Sequence, residues 1–197
     1  MTSTKMSQTT SYTTHSTVVT PHYSTVQTIY VDMDGVLADF DLGVAKIHQF
    51  KTGSKELFPV NKSGSWACAN TPDFFKHLPE IGLGVAMFNW LAAHQDEYGY
   101  RLGILSATGD KHDSVAKQKL EWLKRNVPMA FNQLRGRVIF VQSGVGDKHM
   151  YADSNVLLID DTPEVVEAFR AAGGQTVLFD RTRQSLLDVQ DYIFNLK

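Results

Sequence analysis

The sequence predicts an α/β protein: a Rossmann-like parallel sheet flanked by helices, with a small cap-like insertion after the first strand. Three observations lead there. Short apolar strand candidates alternate with helical stretches through most of the chain. Several candidates end in a polar cluster (VDMD, LSATGD, VQSGVGDK, LIDDT), and in open α/β sheets ligands bind beyond the carboxyl ends of the strands. One segment, about 42–82, breaks the alternation with Gly, Pro and polar punctuation and shows no long helix.

The elements follow in chain order. Residues 1–27 are dominated by Ser and Thr and read as a flexible tail, leaving 28–197 as the folded domain. The tail has neither the apolar core of a secretory signal nor the arginines of a transit peptide. No apolar run approaches the roughly 20 residues of a membrane span. Cytoplasmic residence without a membrane partner is therefore expected. The strand candidates are 28–31, 101–105, 137–141, 156–159 and 176–179. Between Lys111 and Asn126, Ala116, Leu120 and Leu123 form an i, i+4, i+7 stripe that would pack on the sheet, with Lys117, Lys119 and Lys124 outside. After Ile159, Thr162 is a candidate N-cap, Pro163 suits the first helical turn, Val165 and Phe169 share a face, and Gly173 ends the helix. Asp39 and Asp41 read as acids of a first helical turn, favourable to the helix dipole.

Composition narrows the function. A hydrophobic content of 43% is ordinary for a globular protein, and a net charge of −2 argues against a general nucleic-acid binder, so no stable nucleic-acid partner is expected. A nucleotide-sized anion needs only a local positive site. The single cysteine, Cys68, rules out an internal disulfide or a multi-cysteine metal site and reads as a packed small side chain. The histidines show no metal-ligand spacing. Gly144 and Gly146 resemble a fragment of a phosphate loop, but SGVGDK lacks the Walker spacing.

The chemistry lies at the strand ends. Asp32 and Asp34 sit at the tip of the first strand, where Gly35 permits a sharp turn, and Asp160 and Asp161 end another. Converging carboxylates repel, and a hard divalent cation with oxygen ligands, Mg²⁺ first among them, relieves the repulsion. Ser106, with the backbone at Ala107, offers a hydroxyl and N–H groups near a helix start, and Lys148 offers a compact cation. Thr108 is an alternative to Ser106, and Lys111 and Lys117 are alternatives to Lys148. A phosphoryl group held there would face Asp32 as nucleophile. In the insertion, Trp66, Phe74 and Phe75 are available to a ligand or to a local minicore.

DMDGV at Asp32 to Val36, Ser106 after an apolar strand, Lys148, and LLIDD at Leu157 to Asp161 resemble the four ordered motifs of the haloacid dehalogenase superfamily, over 29–179. The second acid of the first motif places the resemblance with phosphatases and phosphotransferases. It implies Asp32 as nucleophile, Asp34 as general acid and base, Mg²⁺ held by Asp32, Asp160 and the main-chain carbonyl of Asp34, Ser106 and Lys148 on the phosphate, and Asp161 orienting Lys148 or a metal-bound water. DMDGVLADF with PDFFKHLPE and LLIDD is further similar to the 5′(3′)-deoxyribonucleotidases. That likeness implies stacking of Phe40 on a nucleobase, closure by the insert aromatics, and a nucleoside monophosphate as substrate. ATGDKHD at Ala107 to Asp113 departs from those nucleotidases. The alternatives are a phosphatase acting on a sugar phosphate or a nucleic-acid 3′-phosphate, and a non-catalytic nucleotide-binding protein. Self-association as a homodimer is left open.

Overall fold

A computed structural model of the chain describes residues 26–53, 65, 68–182 and 186–194. Trp66, residues 54–64 of the expected insertion and residues 1–25 of the expected tail lie outside the described residues. Five parallel strands form one sheet: β1 (Thr28–Val31), β2 (Arg101–Ala107), β3 (Val138–Val141), β4 (Val156–Asp160) and β5 (Gln175–Leu178), in the order β3-β2-β1-β4-β5. This is the predicted fold class, with strand limits moved by at most two residues. The chain is packed from Val26, which is buried, and Gln27 N donates to Asn155 O.

The strands alternate their side chains between two helix-covered faces. Ile29 and Val31 of β1, Leu102 and Ile104 of β2, and Leu157 and Ile159 of β4 enter the larger core. On that face lie α2 (Gly82–Ala93), through Met87, Phe88 and Leu91, α4 (His112–Asn126), through Trp122 and Leu123, and α5 (Pro128–Gln133), through Ala130. The short α3 (Gln95–Tyr98) leads into β2. The opposite face, with Leu105, Leu158 and Val141, is covered by Val165 and Phe169 of α7 (Pro163–Ala171). A single-turn α6 (Gly144–Asp147) precedes α7, and α8 (Leu186–Phe194) follows β5.

Two local readings are corrected. The segment after β1 does contain a long helix, α1 (Phe40–Thr52), whose N-cap Asp39 accepts from Leu42 N at 3.0 Å and which stops at Gly53 in the left-handed region. Polar residues on its outer side mask it in the sequence. In α4 the inward face is Val115, Lys119, Trp122 and Leu123, whereas Ala116 and Leu120 are only half-buried. Trp122, fully buried with its Nε1 donating to Leu78 O at 2.8 Å, sets that rotation and carries Lys119 inside. Thr162 occupies the N-cap position of α7, but its side chain makes no capping bond; Gly173, at φ +94°, follows the helix end as expected.

The chain after β1 is fixed by close backbone approaches. Gly35 (φ +80°) makes the turn, and a Cβ there would fall on the Asp161 carboxylate, 1.8 Å from Oδ2. Residues 37–39 pair with 79–81 through Asp39 N to Pro79 O and Ile81 N to Leu37 O, both 2.8 Å. Behind this pairing Gly84 of α2 abuts Val36 O, where a Cβ would sit 1.7 Å away.

Candidate active site

The strand order places the site. The chain runs from β1 outward to β2 and β3, then returns to β4 on the other side of β1, so the crevice lies at the carboxyl ends of β1 and β4. Asp32 directly follows β1, and its N–H donates to Ile159 O of β4 at 2.9 Å; Asp160 ends β4. The predicted convergence is present: carboxylate oxygens of Asp32, Asp160 and Asp161 lie within 4.8 Å of one another.

Two lysines reach this centre from opposite faces of the sheet. Lys148, 2% exposed, lies 2.7 Å from Asp160 Oδ2 and 3.0 Å from Asp32 Oδ1, the latter an ion pair by distance alone. Asp160 Oδ1 accepts from Thr162 N at 2.9 Å. Lys148 therefore bridges Asp32 and Asp160, and Asp161 is not its partner. From the larger core, Lys119, 1% exposed, donates to Asp34 Oδ2 (2.8 Å), Ser106 Oγ (2.8 Å) and Ala107 O (2.7 Å). Its expected place on the outer side of α4 is the error with most consequence for the site. The signal was present: Val115, Lys119 and Trp122 are also spaced i, i+4, i+7, and a lysine inside an apolar stripe requires an acidic partner.

Electrostatics separate the carboxyls. Burial alone would raise Asp32, but Lys148 and Lys119, with hydrogen bonding from Ser106, outweigh it and hold the group below the usual carboxylate range. For Asp34, burial, with Asp32 nearby, prevails over Lys119 and pushes the group up. Burial, then Asp32 and Asp160, lift Asp161 to about 7. Asp32 Oδ1 and Asp34 Oδ1 are buried oxygens that accept no hydrogen bond. Such orphaned acceptors are costly unless a ligand satisfies them. An all-oxygen donor set with spare negative charge fits Mg²⁺: Asp32, Asp160 and Asp161 could hold it.

The centre opens into a cleft of about 890 Å³ whose lining includes Asp32, Asp34, Ala107, Thr108, Lys148 and Asp161. Ser106, wholly buried, lies behind this lining rather than in it. Thr108 Oγ1 donates to Val141 O at 2.9 Å and meets His112 Nδ1 at 2.6 Å. Lys111 and Lys117, the alternatives to Lys148, are exposed and do not line the cleft. Phe40 and Phe75 form an aromatic wall. Phe74, edge-on to both with ring centroids at 5.5 and 5.1 Å, is buried in the minicore and does not line the cleft. Across the mouth, Arg181 pairs with Asp39 at 2.6 Å, a contact between distant segments with no local sequence signal.

Solved structures share this architecture. A haloacid dehalogenase-like family hydrolase from Streptococcus pneumoniae matches over 85% of this chain and 98% of its own, at TM-score 0.50 and 12% identity. A haloacid dehalogenase-superfamily hydrolase from Ehrlichia chaffeensis matches over 88% of this chain and 98% of its own, at TM-score 0.51 and 11% identity. No protein-family model matches the sequence, and no curated protein does. The chain shares the fold of these haloacid dehalogenase-like hydrolases, and the acidic cluster at its switch point could hold a metal. Among the described residues no helix is long and apolar enough to cross a membrane.

Proposed function

We propose that this chain is a Mg²⁺-dependent phosphomonoester hydrolase that works through an aspartyl phosphate on Asp32, and that its substrate is a nucleoside monophosphate. One observation above all supports the reaction: Asp32, held ionised between Lys148 and Lys119, borders the cleft at the β1–β4 switch point beside Asp160 and Asp161. An Asp32 oxygen attacks phosphorus, and the bond to the ester oxygen breaks as Asp34 gives that oxygen its proton. Asp34 then takes a proton from water, which attacks the same phosphorus, releasing inorganic phosphate and free Asp32. Lys148 and the N–H groups near Ala107 face the phosphoryl oxygens. Bound by Asp32, Asp160 and Asp161, Mg²⁺ would supply positive charge against the phosphoryl group.

The nucleotide reading rests on the cleft. Its volume suits a nucleoside monophosphate, and Phe40 and Phe75 supply apolar faces beside the acidic centre. Stacking on an aromatic face contributes roughly 1–3 kcal/mol per base and tolerates different bases. The test is phosphate release from a panel of nucleoside monophosphates, sugar phosphates and 3′-phosphorylated oligonucleotides, with Mg²⁺ present. Nucleotides are expected to give the highest kcat/KM, and Phe40→Ala to raise KM on nucleotides far more than on ribose 5-phosphate. Selective turnover of a non-nucleotide would end the nucleotidase reading, and an inert protein would end the phosphatase reading.

A further inference from the structure

The buried lysine of α4 enters the reaction as just described only through its charge near Asp32, yet all three of its N–H groups are spent on the catalytic layer. Its ammonium joins Asp34, Ser106 and the Ala107 carbonyl at 2.7–2.8 Å and lies over the Phe75 ring, 5.4 Å from the centroid. A buried ion pair is a poor way to gain stability, because removing two charges from water costs about as much as their attraction returns. The flanking Val115 and Trp122 show that this position is core, where an apolar side chain would pack with less cost. The carboxylate it holds is also tightly constrained. Asp34 Oδ2 is fixed by the lysine, while Oδ1 is left without a hydrogen-bond partner. A carboxyl gripped by one oxygen has its other oxygen set in a defined direction.

We infer that Lys119 is a positioning residue that tethers Asp34 by Oδ2, together with Ser106, so that Asp34 Oδ1 is the oxygen presented for proton transfer to the leaving group. The inference rests on the phosphatase reading above. It makes proton donation, rather than phosphate binding, the step that depends on the lysine.

The test compares two esters that differ in their need for an acid. A p-nitrophenyl ester leaves as a stabilised anion and needs little proton donation, whereas a nucleoside or alkyl monophosphate leaves as an alkoxide and needs it fully. In Lys119→Met, kcat for the alkyl ester is expected to fall by about 10²-fold or more and that for p-nitrophenyl phosphate by less than about tenfold, with KM for both little changed. Because that variant leaves the half-buried Asp34 without its partner, Asp34→Asn and the Asp34→Asn/Lys119→Met double variant are measured beside it. The double variant removes both charges together, and it is expected to be no slower than Asp34→Asn alone. An equal fall on both esters, no fall on either, or a double variant much slower than Asp34→Asn would overturn the tether while leaving the phosphatase reading intact. A parent protein inert toward both esters would overturn the phosphatase reading and the tether with it.

Discussion

Asp32 is the residue on which the proposed chemistry converges, and its setting explains how a buried aspartate can stay ionised. It is 6% exposed, which alone would favour the neutral acid, but Lys148 and Lys119 compensate. Asp34, two residues on, is pushed the other way because burial, with Asp32 beside it, outweighs Lys119 and Lys148, so neighbouring carboxyls acquire opposite proton preferences. Replacing Asp32 by Asn keeps the shape and removes the nucleophilic charge. Turnover is expected to fall by about 10³-fold or more with an unchanged far-ultraviolet dichroism spectrum, since Lys148 keeps its bond to Asp160. Near-parent phosphate release from the purified variant would contradict the assignment. The acids were legible in the sequence because each follows an apolar strand. Lys119 was not: two stripes with the same i, i+4, i+7 spacing run along α4, one position apart, and only the fit of Trp122 beneath Leu78 chooses between them.

At the scale of elements, the turn after β1 is held from behind by α2. Gly84 lets the helix approach Val36 O so closely that no side chain fits, and the 37–39 segment is pinned to 79–81 by backbone hydrogen bonds. Gly84→Ala therefore forces helix and turn apart, with an expected loss of about 1–3 kcal/mol in urea denaturation. Gly82, two residues earlier in the same helix, meets nothing within 4 Å, and Gly82→Ala is expected to be neutral or to stabilise by up to about 1 kcal/mol. Equal effects of the two substitutions would show that the close approach does not govern stability. The strands of this framework were readable because apolar runs of four to seven residues have few other uses in a protein of this composition. Helix α1 was legible only at its start, where Asp39 and Asp41 read as first-turn acids; its length was hidden because its inward residues, such as Val44, do not stand out among Lys, His and Gln.

For the molecule as a whole, charge is unevenly spread in a way that composition conceals. A chain with a net charge of −2 gathers Asp32, Asp34, Asp160 and Asp161 around Lys119 and Lys148, so four carboxylates face two ammonium groups and leave a formal excess of two negative charges at one cleft. A divalent cation would offset that excess. Adding Mg²⁺ to the EDTA-treated protein is expected to raise Tm with concentration, by the equivalent of about 2.7 kcal/mol at 100 times Kd. Activity should vanish in EDTA and return with Mg²⁺; a flat Tm together with full activity in EDTA would exclude the metal. What the sequence by itself determined is the α/β class, the strands and the acids at their ends, because strand pattern and polar termini are local properties of neighbouring residues. Which lysine serves which acid was decided only by tertiary structure. Asp34 and Lys119 stand 85 positions apart, and nothing in either neighbourhood encodes their meeting until the sheet order and the rotation of α4 are fixed by packing.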